Sequence, residues 1–196
     1  MRKPIVVLFL LFCLSAAVAC AQSVSGGAIV GAPVLNVTSS QSIGGVQYTP
    51  QSLHVTVGGS FQLDFPWRLR LEVDALYRPA SYSLGTLPNN ATASDWKFPT
   101  MMEYKFKTPL ASGRMQPFAG AGVSFDHLYQ VSHAPVAGTG SVVTNSPAGM
   151  LFVGGVDFKL LGKRASAELR YTRQVHDSVV NLSQLNQADF LLGIHF

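Results

Sequence analysis

Between Arg68 and Arg78 the chain reads Arg-Leu-Arg-Leu-Glu-Val-Asp-Ala-Leu-Tyr-Arg. This alternation constrains the fold more than any other feature. Leu69, Leu71, Val73, Ala75 and Tyr77 share one side of an extended chain. Arg70, Glu72, Asp74 and Arg78 share the other, with Leu76 the apolar exception. Successive side chains of a strand point to opposite faces, so a period of two marks a strand, and helical periodicity is absent here. The scheme recurs near the end of the chain. Ala165, Ala167, Leu169, Tyr171 and Val175 oppose Ser166, Glu168, Arg170, Thr172 and Gln174, with Arg173 breaking the apolar phase. Ala188, Phe190, Leu192, Ile194 and the last residue, Phe196, oppose Gln187, Asp189, Gly193 and His195.

Less regular strands fill the gaps. Val55, Val57, Gly59, Phe61, Leu63 and Phe65 alternate with Thr56, Gly58, Ser60, Gln62 and Asp64. Phe98, Met102, Tyr104 and Phe106 alternate with Met101, Glu103, Lys105 and Lys107. The Gly-rich stretches 117–127 and 148–160 place Asp126, Asp157 and Lys159 on their second face, and a first strand is expected over 25–37. This makes eight strands of about ten residues, the length that crosses a bilayer when tilted. The connections alternate in length. Those at 66–68, 108–114 and 161–164 are short; those at 38–52, 84–95, 132–146 and 177–186 are longer and rich in Ser, Thr, Asn, Gly and Pro. The pattern predicts an all-β fold, an eight-stranded antiparallel up-and-down transmembrane β-barrel, with both termini on the short-turn side.

The N-terminus is of another kind. Arg2 and Lys3 precede an apolar stretch, 5–19, too short for a comfortable membrane helix and followed by small residues. Residues 1–21 read as a secretory signal peptide, leaving 22–196 as the barrel domain. Ala19-Cys20-Ala21 before Gln22 is a good cleavage site. Cleavage before Cys20, giving a lipidated cysteine, is one alternative, weakened by Ala17 at the start of the lipobox, and a retained anchor is another. Either cut removes Cys13, and the cut before Gln22 removes both cysteines, so no disulfide is expected. The formal charge of +4 includes Arg2 and Lys3, leaving +2. With no Lys/Arg stripe and no helix to carry one, nucleic acid is not an expected partner.

A soluble barrel has its apolar face inside; an outer-membrane barrel inverts this. The inverted case is favoured here. Of the ten acidic residues, Asp64, Glu72, Asp74, Glu103, Asp126, Asp157, Glu168 and Asp189 sit at the polar phase of strands, whereas the long loops carry almost none. Aromatic residues gather at strand ends. Phe65, Trp67, Phe106, Phe118, Phe158 and Phe196 read as a girdle on the short-turn side, with Tyr77, Tyr82, Trp96, Phe98 and Tyr129 as the opposite one. The polar phase then lines the lumen, where Arg70, Glu72, Asp74, Glu103, Lys105, Asp157, Lys159, Glu168 and Arg170 are the expected charge network. Glu168, Arg170, Glu72 and Lys105 are expected at its centre.

Across essentially the whole mature chain the sequence resembles the small eight-stranded outer-membrane barrels of Gram-negative bacteria, the OmpA/OmpX type. The resemblance is carried by Leu-Glu-Val-Asp-Ala-Leu-Tyr-Arg (71–78), Pro-Phe-Ala-Gly-Ala-Gly (117–122), Ala-Glu-Leu-Arg-Tyr-Thr (167–172) and the terminal Phe-x-x-Gly-x-x-Phe (190–196). It implies that Phe190, Leu192, Ile194 and Phe196 form a C-terminal signal read by the barrel-insertion machinery. It also implies residence in the outer membrane, with membrane lipid as a partner, and a monomer is expected. No peptidoglycan-binding domain is expected after the barrel, so the resemblance is not taken to imply cell-wall tethering.

No catalytic, metal or cofactor site is expected. His176-Asp177-Ser178 has the residue types of a hydrolase triad, but neighbours in sequence cannot form one. His127, His133 and His176 have no metal-ligand spacing. The Ala-Gly-Ala-Gly run is not a phosphate loop, because no helix and no Lys-Ser/Thr pair follow it; interior-phase glycines are expected to relieve crowding in a narrow lumen or to bend the sheet. A structural or surface-interaction role through four outward loops is therefore favoured. A narrow porin-like channel is the main alternative, and an outer-membrane lipid-modifying enzyme a more distant one. The ligand of the loops is not legible.

Overall fold

The computed structural model describes residues 21–36, 41–43, 46–51, 55–84, 90–107, 114–132, 144–145, 148–174 and 186–196. The expected signal peptide, except Ala21, lies outside them, as do His133, His176, Asp177 and Ser178.

Eleven strands form one sheet: β1 (Ser23–Asn36), β2 (Gln41–Ile43), β3 (Val46–Gln51), β4 (Thr56–Asp64), β5 (Leu69–Leu84), β6 (Asn90–Lys105), β7 (Met115–Ser132), β8 (Thr144–Asn145), β9 (Ala148–Leu160), β10 (Lys163–Gln174) and β11 (Asn186–His195). The path β5-β4-β1-β11-β10-β9-β7-β6 closes through a β5–β6 pairing, so eight antiparallel strands make a barrel. The first and last strands meet, with Gly27 opposite His195 and Ala32 opposite Phe190. This ladder reaches the last residue, since the Phe196 N–H donates to the Gly26 carbonyl at 2.8 Å.

The barrel strands are 9 to 18 residues long, longer than the expected ten on the loop side. β6 starts at Asn90, inside the segment expected as a loop over 84–95. β3 pairs with the far end of β5, Gln51 opposite Ser81, and prolongs the sheet beyond β4; β2 and β8 pair with β3 and β7. The short connections are tight. Leu161 and Gly162 both have positive φ (52° and 79°), the twist that a two-residue hairpin turn requires. Pro66–Arg68 makes one 3-10 turn in which Trp67 and Arg68 also have positive φ.

Closure forces one face of every strand inward. Along β5, Arg70, Glu72, Asp74, Leu76 and Arg78 are buried, while the side chains between them are not. The outward positions are apolar: Val30, Phe125, Phe152, Leu169 and Leu192 are each about half exposed. Among the described residues, charged side chains at outward strand positions occur only at the two ends of β10, as Lys163 and Arg173. A water-facing surface of this kind would be strongly unfavourable; facing lipid, it is the stable arrangement.

Inside, glycines face bulky neighbours. Gly58 lies opposite Leu76, Gly31 opposite Leu191, Gly122 opposite Met101 and Gly155 opposite Glu168. A Cβ at any of these glycines would run into the partner strand's carbonyl oxygen, and at 58 and 31 into the Leu76 and Leu191 side chains as well. The glycines therefore give up volume where the lumen has none to spare, as read from the sequence. Leu76, the apolar exception of its strand, fills the space above Gly58.

Candidate functional site

The lumen holds charges in two groups, the first built from expected residues. In the half nearer the short turns, two arginines organise the carboxylates. Arg170 donates to Glu72 and Glu168 at 2.8 Å and also pairs with Asp74. Arg70 pairs with Asp157 and lies 3.3 Å from Glu103, 3.5 Å from Asp64 and 3.8 Å from Glu72. Its guanidinium also sits 5.0 Å from the centre of the Phe118 ring. Glu72 thus bridges both arginines, and Gln62 donates to its second oxygen at 2.6 Å. Arg70, Glu72 and Glu103 are wholly buried.

Three expectations need correction. Lys105 is not at the centre: it lies at the short-turn mouth, where its ammonium donates to Asp64 at 2.6 Å. Lys159 is on the inward phase but exposed at the rim, and it makes no ion pair among the described residues. Phe118 is not in an interfacial girdle; it is 2% exposed inside the lumen, because the inward phase of β7 runs through Gln116, Phe118, Gly120 and Ser124. The outer aromatic group is present where described: Tyr77 lies 5.0 Å from Trp96, and Trp96 stacks on Phe98 at 6.4 Å. The side chains of Tyr82 and Tyr129 lie outside the described residues.

A second group lies farther along. Arg78 donates to Asp95 at 2.8 Å and to Gln187 at 3.1 Å, and lies 3.6 Å from Asp189; Lys97 also donates to Gln187. Sequence reasoning missed this group because it started β6 too late. Extending the alternation of Glu103 and Met101 back through Lys97 and Asp95 would have found it. Between the two groups, Ile29, Leu76 and Leu191 form a buried apolar cluster. On β5, Leu76 separates Asp74 from Arg78; on β11, Leu191 separates Asp189 from His195. Met101, Phe118, Leu151 and Val153 make another such cluster. The lumen is thus not polar throughout.

His195 was also missed. Its ring lies 3.3 Å from Ser60 Oγ and 3.1 Å from Ser166 Oγ, and Ser166 donates to Glu168 at 2.9 Å. The imidazole reaches Ser60 of β4 across β1 because Gly27 has no side chain; a Cβ there would lie 2.7 Å from Ser60 Oγ. A serine, a histidine and a carboxylate here resemble catalytic residue types. All are buried in the lumen wall. Their geometry laces β4, β11 and β10 together across the junction of the first and last strands. His127 is exposed on the outward phase of β7, and no group of three or more His, Cys, Asp or Glu among the described residues is arranged to hold a metal ion.

Several solved structures are similar to this one. The outer-membrane protein OprG of Pseudomonas aeruginosa matches with a TM-score of 0.60 at 15% identity, over 90% of this chain and 97% of that one. This chain has the fold of the small eight-stranded outer-membrane β-barrels. Neisserial surface protein A (NspA) matches this barrel with a TM-score of 0.57 at 16% identity, over 88% and 94% of the two chains. Ail, the attachment invasion locus protein of Yersinia pestis, solved with the heparin analogue sucrose octasulfate, gives 0.52 at 9% identity, over 88% and 98%. No family profile matches the chain. No curated protein matches it in sequence.

Proposed function

We propose that the chain is an outer-membrane barrel with a closed interior, acting as a structural or surface-interaction protein through the loops at its long-connection end. The observation that carries this reading is the filled lumen. Arg70 and Arg170 tie carboxylates from β4, β5, β6, β9 and β10 into one network, and the Ile29, Leu76 and Leu191 cluster lies beyond it. An eight-stranded barrel is only just wide enough for its own side chains. An ion crossing it would have to displace buried ion pairs and then pass an apolar constriction, which resists wetting. The apolar exterior and the inverted charge distribution support residence in a membrane. The likeness to outer-membrane barrels, together with the signal-like N-terminus, favours the outer one.

The test is single-channel recording of the refolded protein in a planar bilayer. Brief or no conductance is expected; a steady, large conductance would overturn the closed-lumen reading. A narrow channel is the second reading, favoured by one observation. Buried polar atoms of Arg70, Asp74, Glu103 and Asp157 have no hydrogen-bond partner among the described residues, and such atoms attract water. A small, steady cation current would support that reading instead. A lipid-modifying activity would show as a changed lipid A mass spectrum on expression, and none is expected.

A further inference from the structure

The short-turn end of the barrel carries cations that the lumen network does not use. Arg68, Lys107, Arg114, Lys159 and Lys163 are exposed there, and none makes an ion pair among the described residues. The carboxylates at this end, Asp64 and Asp157, are already held. Lys105 and Arg164 engage Asp64 at 2.6 and 2.9 Å, and Arg70 pairs with Asp157. The segment 108–113, outside the described residues, reads Thr-Pro-Leu-Ala-Ser-Gly and contributes no charge.

Within this ring the barrel mouth opens as a cavity of about 850 Å³, lined by Lys105, Arg114, Gln116, Asp157, Lys159 and Arg164, among others. A volume of that order is typical of small-molecule sites. Its walls set four cations against one acid, and that acid is engaged by Arg70. We propose that this vestibule is a binding site for a multivalent anion of the phosphate class, held chiefly by Arg114 and Lys159. The guanidinium fork of Arg114 matches paired phosphate oxygens, and Lys159 adds a mobile point charge. Arg68 and Lys107 line an adjoining cavity that shares Lys105 and Gln116 with this one, and with Lys163 they raise the local concentration of anions. Lys105, Gln116, Asp157, Lys159 and Arg164 follow the inward phase of β6, β7, β9 and β10, with Phe158 and Gly162 at the edge, so most of the polar lining faces the aqueous compartment at this end. With the orientation proposed above, on which only this point rests, that compartment is the periplasm.

The test uses the full mature chain refolded into nanodiscs of neutral phosphatidylcholine and titrated calorimetrically with tripolyphosphate, at low and at near-physiological ionic strength. Saturable one-to-one binding is expected, weaker at the higher salt but still measurable. The double variant Arg114→Gln, Lys159→Gln is expected to lose roughly tenfold or more in affinity. The control Arg68→Gln, Lys107→Gln, whose residues line the adjoining cavity and not this one, is expected to lose less than about threefold. Heat-dependent migration on gels confirms that each variant is folded. Absence of saturable binding would overturn the proposal. So would equal losses in the two double variants, which would mean a diffuse surface field. So would association seen only with vesicles containing phosphatidylglycerol, which would mean a lipid-headgroup surface. The titration does not depend on conductance or on which way the barrel faces in a cell, so its failure and that of the closed-lumen reading are separately visible.

Discussion

At position 58 a side chain of any size would collide with the Ala75 carbonyl oxygen and with Leu76. Gly58→Ala is therefore expected to destabilise the barrel by about 1–3 kcal/mol, as overpacking of a tight interior does. Gly154→Ala is the internal control. Nothing lies within 4 Å of a Cβ there, so this variant should unfold at the same urea concentration as the wild type or slightly higher. Urea titrations of both variants refolded in vesicles decide the matter. Arg170 makes a different prediction at this scale. Replacing it with Met leaves Glu72, Asp74 and Glu168 facing one another without their cation. A cost of about 3–5 kcal/mol is expected, because breaking a buried pair from one side leaves uncompensated charge. A loss below 1 kcal/mol or so in the same titration would mean that water enters the lumen freely.

At the scale of the strand, facing is the testable property. Val73 lies on the outward phase of β5 among Leu71, Ala75 and Tyr77. Val73→Arg is expected to cost about 2–4 kcal/mol by placing a guanidinium against the hydrocarbon core. Thr172→Arg, on the inward phase of β10, should cost less, because the lumen already holds carboxylates. Equal losses in refolding titrations would overturn the facing. The alternation of β5, β10 and β11 was legible because closure gives each strand one buried and one lipid-facing side, and the side-chain period of two records it. What escaped reading were the places where that rule is silent. Phe118 is apolar and inward, and its chemistry alone points outward; only the phase of Gln116 and Ser124 places it inside. Asp95 and Lys97 belong to the lumen because β6 begins at Asn90, a length set by pairing with β5 and β7 and not by local hydrophobicity. His195 was visible as a polar-phase residue, but its reach to Ser60 depends on Gly27 of a third strand, which no local window contains.

For the whole molecule, the alternating connection lengths lead to a topology. Epitope tags placed near Asn89, Gly138 or Ser183 are expected to be accessible on intact cells, and a tag at Gly162 is expected to be hidden. Accessibility at Gly162 without accessibility at Gly138 would reverse the orientation and would place the basic vestibule outside the cell. The pairing of inward glycines with bulky neighbours also bears on how the barrel is assembled. A slip of one residue between strands moves every side chain to the wrong face, and lipid rejects it. A slip of two keeps every face correct, so hydrophobicity is blind to it. The volumes are not. A two-residue slip of β5 against β4 sets Leu76 against Thr56 or Ser60, and one of β6 against β7 sets Met101 against Ser124 or Glu103 against Phe118. Only the native stagger gives Leu76, Met101 and Glu103 each a glycine opposite across these pairs. The glycines thereby act as a proofreading code for shear, the quantity that fixes the width of a closed barrel.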